Sequence, residues 1–563
     1  MAIELTPGAP QDVPRVVNPA PATLLEGAKE TFWLVDVDIS KLYQSEFELR
    51  LVTPHAYWYV EQGQQIEQRD LERSASRFED DIYPRVTGAF GREWLPGVDG
   101  DVHLNIVNAG LKGAGGYYSS RDEFLRSVSP FSNQREMIYI NTDAFPVGSG
   151  GYLKVLAHEL QHAIHWNADQ SEDAWLNEGL SELAISVAGY GAESIYRFLQ
   201  ARPTSLINWP QPPRDNAANY GASSLFMHYL AEHFGTQSGL RLLLNEPANG
   251  IAGIDAYLQD LGYNVTFNDV FRDWAVANLL DQDQGVYGYK DLQVSATILK
   301  FIDEFSDFSS EIPQYSVEYV ELASFVGPLR LRFHGSQVNS LLPVDVGPEG
   351  CWWSNSGDSI NSTLTGAFDL KDADQAALGY QVWYSLEPLW DYAYVEVSSD
   401  GGRKWDILET RYTTSENPVG NSYGHGYTGD SGRWITEFID LGAYTGREIL
   451  IRFQYITDDA FDMAGLCLRQ IAVYRPELVQ LDDVWQADGF VLTDNRVRQS
   501  YIVQVVEIAE EPRVTVVSLD ETNSGELVVS APEKLDRLVV IVAALAPKTK
   551  QAAPYTLTVE PAG

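Results

Sequence analysis

The hydrophobic pattern changes period several times along the chain. From residue 22 to 65 apolar and polar positions alternate ("FWLVDVDI", "FELRLVT", "AYWYVEQG"), the repeat of half-buried strands, which predicts a small β region. From Arg69 the repeat becomes helical, with Leu71, Phe78 and Ile82 on the inward face of "RDLERSASRFEDDIYPRVTGAFG". Three short strands are predicted next ("DVHLNIVNA", "GGYYSS", "EMIYINT"), then a "VGSGG" breaker and a helix from about Tyr152 to Trp166. Helical patterns continue to about 285, and beyond 290 nearly every segment reads as strand with Gly/Asp turns. The pattern therefore divides the chain into a lead-in with a small β region (1–65, a candidate pro-segment remnant), an α+β domain (66–289), a β connector (290–345), a β-sandwich (346–478) and a terminal β module (479–563).

The helix at 152–166 carries the chemistry. Leu153, Leu156, Leu160 and Ile164 form its buried stripe, and "HELQH" (158–162) lies across it. Residues four apart on an α-helix lie about 40° apart around the axis and one turn apart along it, so His158 and His162 project side by side. Glu159 points between them, within reach of a water but not of the ion itself. Catalytic zinc needs a third protein ligand and an open fourth position. The polar segment "NADQSEDAW" reverses the chain, and "DAWLNEGLSELAISVAG" starts a second helix with Ser171 or Asp173 as N-cap. Its return brings Glu178 opposite the histidines, with Glu182 one turn further on.

Composition narrows the partners. The 563 residues are 44% hydrophobic with a net charge of −40 and a pI near 4.4, a field that repels nucleic acid and anionic lipid. No run of eighteen apolar residues predicts a membrane span. The two cysteines, Cys351 and Cys467, are too few for a disulfide scaffold, and whether they bond stays open. The proline-rich opening reads as an unstructured lead-in, and an exported form would have shed its signal.

"HELQH…NEGLSE" resembles the gluzincin metallopeptidases, with Asn177, Glu178, Ser181 and Glu182 matching their second element. The resemblance implies a zincin-like domain with His158, His162 and Glu178 as zinc ligands and Glu159 as general base for a zinc-activated water. It also implies that Glu182 orients a ligand histidine, His158. The gap between the two elements is shorter than in thermolysin-like members. Tyr220 in "NYGASSLFMHYL" is the candidate oxyanion donor, with His228 and His233 behind it. His165, too far along the axis to share the ion, reads as packing or as support behind the ligands. "GAGGYYSS" (113–120) is the candidate edge strand that would hold an extended peptide.

In the β half, "CWWSNSGDSINSTLTGAFDL", "YQVWYSLEPLWDYAYVEVSSDGGRKWDIL" and "GHGYTGDSGRWITEFIDLGAYTGREILIRFQYITDD" resemble the C-terminal region of immune-inhibitor-A-type secreted metalloproteases over about 350–563. This implies a jelly-roll sandwich and an extracellular protein. "SSDGGRKW" (398–405) has the spacing of an Asp-box hairpin turn, and Asp391, Asp458 and Asp459 are candidate calcium ligands. The aromatic-rich strands predict sheet packing, with a carbohydrate or cell-surface platform as the alternative. The leading expectation is a secreted zinc endopeptidase acting on proteins or peptides. An aminopeptidase on the same site, or a catalytically silent adhesion protein, are the competing readings.

Overall fold

The computed structural model describes residues 14–17, 21, 23–210, 216–235, 239–475, 478–481 and 485–562. Most of the proline-rich lead-in lies outside these, as do 476–477 and 482–484 on either side of the expected 478/479 boundary. The chain is multidomain and divides into two compact units. One comprises residues 1–177, 184–191 and 349–493, the other 178–183, 192–348 and 494–563.

In the first unit, β1 (Lys29–Asp36), β2 (Lys41–Val52), β3 (Ala56–Glu61), β4 (Leu104–Ala109), β5 (Gly116–Tyr118) and β6 (Met137–Asn141) form one sheet in the order β1-β2-β3-β4-β6-β5. The β3–β4 and β4–β6 pairs are parallel and the others antiparallel. The small β region of 22–65 is thus part of the same sheet as the later strands. A parallel β3–β4 pair needs a crossover, which α1 (Gln68–Arg77) and α2 (Tyr83–Phe90) provide. The two are joined by a wide five-residue π turn (Phe78–Ile82) just before Pro84, so the expected single helix is interrupted. Leu71, Phe78 and Ile82 are fully buried, which keeps the inward stripe across the break. β4 and β6 are buried along their whole length, as interior strands of a sheet covered on both faces are.

The sheet leads into α3 (Gly150–Ala168) and α4 (Ala174–Val187). The Ser149 hydroxyl accepts the Tyr152 amide at 3.2 Å and caps α3, a contribution of about 1 kcal/mol.

The same unit holds an antiparallel two-sheet sandwich. One sheet has strands in the order 435–440, 377–385, 465–475, 351–353, 491–493, with 478–481 added to 465–475. The other runs 406–407, 392–398, 448–456, 361–369, 485–488. Inward-facing residues such as Leu378, Tyr380, Val395, Ile451, Phe453 and Leu468 fill the core. Cys351 and Cys467, on adjacent strands with Cα atoms 5.8 Å apart, form a disulfide, which answers the question left open above.

In the second unit α5 (Ser194–Leu199), α6 (Ala217–Phe234), α7 (Gly239–Leu244), α8 (Gly250–Asp260) and α9 (Phe267–Leu280) precede two further sheets. Strand 329–335 pairs with both 524–529 and 553–561, and strand 537–544 pairs with both 501–508 and 317–322. Val320, Leu331, Val503, Val540 and Leu557 share one core. Strands expected in the connector (290–345) and in the terminal module (479–563) therefore occupy the same two sheets. Their partners lie about 200 residues away in the chain, beyond the reach of any local pattern. Among the described residues no helix is long and apolar enough to cross a membrane.

Candidate metal centre

Leu153, Leu156, Leu160 and Ile164 are all buried, and this stripe fixes the rotation of α3 about its axis. The half-buried His158 and His162 consequently emerge together, with their Nε2 atoms 3.1 Å apart. Two nitrogens each about 2.0–2.1 Å from one tetrahedral ion sit about 3.3 Å apart, so the spacing fits a shared cation. The Nδ1 of His162 lies 3.0 Å from Oδ1 of Asn177. An amide oxygen only accepts, so this contact places the ring proton on Nδ1 and leaves the Nε2 lone pair facing His158. Asn177 sits in the first turn of α4. The next residue, Glu178, brings a carboxylate oxygen so that one atom from each of His158, His162 and Glu178 lies within 4.8 Å of the others. Two imidazoles and one carboxylate form the donor set of a catalytic zinc site with one open position.

Glu159 is only 5% exposed. Gly116 of β5 faces it: a Cβ at this glycine would lie 2.8 Å from Glu159 Oε1, 2.5 Å from Val155 Cγ1 and 2.9 Å from the Tyr139 carbonyl oxygen. β5 is the outermost strand of its sheet. The glycines of 113–120 were singled out in the sequence for the approach of another backbone; in the structure Gly116 makes room for the Glu159 side chain. That role had no signal in the sequence, because the two residues meet only through the packing of β5 on α3. Asn177, likewise, matched a motif without its contact to His162 being visible.

Gly179 lets α4 and α6 approach closely, since a Cβ there would meet Met227 Cγ at 2.9 Å and Ser223 Cβ at 3.1 Å. Tyr220, near the start of α6, donates its hydroxyl to Glu178 Oε1 at 3.4 Å, and its ring stands edge-on to Trp209 with centroids 4.7 Å apart. The Ser194 hydroxyl donates to Glu182 Oε2 at 2.5 Å. His228 is held down at about 4 by burial, against the charges of Glu182 and Asp291. His233 Nε2 is engaged by the Gly288 carbonyl at 2.9 Å. His165 is fully buried and pushed down to about 3, first by desolvation and then by His162, which keeps it neutral in the packing of α3.

A second, all-oxygen group lies at one end of the sandwich. Glu387, Asp391 and Asp458 each place a carboxylate oxygen within 4.8 Å of the others. Glu387 was not read from the sequence, and Asp459 is not in the group. Burial first, then the charges of Asp458 and Asp391, drive the Glu387 carboxyl far above the usual range. The Asp-box segment is a hairpin turn in which Asp400 Oδ1 accepts the Arg403 and Lys404 amides, both at 3.0 Å. Tyr380, Tyr392, Tyr394, Tyr427 and Tyr455 are each at most 1% exposed, so these rings pack the core rather than form a carbohydrate platform.

Residues 330–491 match the family described as "Immune inhibitor A-like, MAM domain". The matched stretch contains the sandwich and the acidic group but none of the residues from His158 to Tyr220. It begins earlier and ends earlier than the resemblance read over 350–563. A Pre-pro-metalloprotease PrtV of Vibrio cholerae serotype O1 is 26% identical over 118 residues, 21% of this chain and 12% of that protein. Immune inhibitor A of Bacillus thuringiensis subsp. alesti is 25% identical over 212 residues, 36% of this chain and 29% of its own. Bacillopeptidase F of Bacillus subtilis (strain 168) is 28% identical over 94 residues, covering 17% and 5%. The chain thus matches less than a third of the length of each of these relatives. The likeness to dimeric latent PorU from Porphyromonas gingivalis, 12% identical over 40% of this chain and 22% of that one at a TM-score of 0.13, is too slight for a fold assignment.

Proposed function

We propose that the chain is a zinc-dependent endopeptidase of gluzincin type, built on a zincin-like domain and exported from the cell. The observation that carries this reading is the convergence of His158 Nε2, His162 Nε2 and a Glu178 carboxylate oxygen beside the buried Glu159. The name of PrtV, a metalloprotease, supports it, and a closed disulfide suits an oxidising compartment.

Zinc held by His158, His162 and Glu178 would supply a Lewis acid that polarises the peptide carbonyl and acidifies water. Glu159, the adjacent carboxylate, takes a proton from the attacking water and passes it to the leaving amine. The Asn177 amide keeps the His162 ring in the tautomer that presents Nε2. Glu182 steadies the His158 side of the site. Tyr220, already within reach of Glu178, offers its hydroxyl to the developing oxyanion. The free edge of β5 beside Glu159 holds an extended stretch of substrate by strand addition, which favours cleavage inside a chain over removal of a terminal residue.

The test uses the full chain on casein and on internally quenched peptides. Activity is expected to vanish with 1,10-phenanthroline and return with zinc. Glu159→Gln is expected to retain one zinc per chain and lose about a thousandfold in kcat. A Glu159→Gln protein with wild-type rate would remove the proposal.

A further inference from the structure

The cleft side of α3 continues past the two histidines. An α-helix turns about 100° and rises about 1.5 Å per residue. On that repeat Val155, Glu159 and Trp166 fall within about 40° of one another around the axis, in the sector that faces Gly116 of β5. Trp166 lies about 10 Å further along the axis than Glu159, the length of about three residues of extended peptide.

Two other rings meet Trp166 there, all within the first unit. The Phe124 ring stands edge-on to it with centroids 6.0 Å apart, and the Trp94 ring tilts against it at 6.2 Å. Phe124 follows the short helical turn 120–123 that continues from β5, and its amide bonds the Arg121 carbonyl at 3.2 Å. Trp94 lies in the loop after α2, which is fastened to the end of α3 where the Asn167 side-chain amide donates to the Arg92 carbonyl at 2.9 Å. The strand edge, the histidine-bearing helix and this loop each give one ring to an aromatic wall at the end of the cleft. Phe124 is 39% exposed and the two tryptophans are half-buried, so the wall presents ring surface to solvent. A cation already uses it. The Arg15 guanidinium lies over the Trp94 ring, 4.5 Å from its centroid, and Val17 donates its amide to the Val98 carbonyl at 2.7 Å.

We propose that Trp94, Phe124 and Trp166 form a specificity subsite that takes an arginine side chain of the substrate about three residues from the scissile bond, with Arg15 as a self-ligand of the same wall. The subsite rests on the peptidase reading above for the place of the scissile bond. A peptide laid along the free edge of β5, with that bond beside Glu159, reaches the wall with its third residue. The net charge of −40 draws a cationic peptide in, and the indole faces attract its guanidinium through their π electrons. Arginine fits better than lysine because its planar head group stacks as well as carries charge.

The test uses the full chain and internally quenched peptides of alanine, glycine and serine along which a single arginine is walked, with cleavage sites read by mass spectrometry. Cuts are expected about three residues from the arginine and on one side of it only, with KM about five- to tenfold below that of the neutral peptide. The ratio of the two KM values is read within each variant. It is expected to fall to about one in Trp94→Leu and in Trp166→Leu, and to be largely kept in Trp94→Phe, which retains a ring. Arg15→Ala is expected to lower KM for the arginine peptide about threefold, since the wall is then vacant. Binding is read apart from hydrolysis by fluorescence anisotropy of the labelled arginine peptide on zinc-loaded Glu159→Gln. An arginine peptide cut no better than the neutral one at any position, or a preference that both leucine variants keep, overturns the subsite. An unchanged KM in Arg15→Ala overturns the self-ligand. A chain that cuts no peptide yet binds the arginine peptide through Trp94 overturns the peptidase reading and leaves the wall as a peptide site.

Discussion

The two carboxylate-bearing groups of this protein differ in how they are made. The histidine group draws its donors from two consecutive helices within twenty-one residues, from His158 to Glu178. The acidic group draws on loops spread from Glu387 to Asp458. Nitrogen donors on a helix at a spacing of four are pre-arranged by the helical repeat, so a single buried stripe aims both rings. Oxygen donors on loops are arranged only after two sheets have packed. By donor chemistry, two imidazoles with a carboxylate suit a borderline cation such as zinc, whereas an all-oxygen group suits only a hard one.

This contrast yields experiments in order of effect. His162→Ala is expected to abolish stoichiometric zinc binding and peptidase activity together; metal analysis and a quenched-peptide assay on one sample check both. Tyr220→Phe is expected to lower kcat by about a hundredfold or more with KM little changed, because the hydroxyl offered to the developing oxyanion is lost while the Trp209-packed ring stays in place. Gly116→Val is expected to cost about a hundredfold in kcat with zinc retained, because even a Cβ there would lie 2.8 Å from Glu159 Oε1 and force that carboxylate aside. Asn177→Ala is expected to weaken zinc affinity by about ten- to a hundredfold, measured against a competing chelator, with the fold unchanged.

The same contrast explains what could be read from the sequence. The α3 stripe and the side-by-side histidines follow from a repeat of 3.6 residues, and the return of Glu178 from the polar break "NADQSEDAW" between two helices, so both were legible in the sequence. Asp391 and Asp458 could be suspected as cation ligands, but Glu387 joins them only through loop packing. Gly116 and Glu159 meet through a strand laid on a helix, which no spacing encodes. The pairing of strand 329–335 with 524–529 and 553–561 was invisible for a related reason: each strand shows its period but not its partner. The inward stripe of Leu71, Phe78 and Ile82 predicts one helix from Arg69, and nothing in that stripe shows the π turn at Phe78–Ile82 that divides it.

Zinc K-edge absorption of the zinc-loaded full chain tests the central claim most directly. One zinc per chain is expected, with two imidazoles at about 2.0–2.1 Å and light oxygen scatterers completing a four-coordinate shell. Glu178→Ala is expected to lose one oxygen scatterer from that shell. A shell without imidazole scattering, or one that Glu178→Ala leaves unchanged, would contradict it.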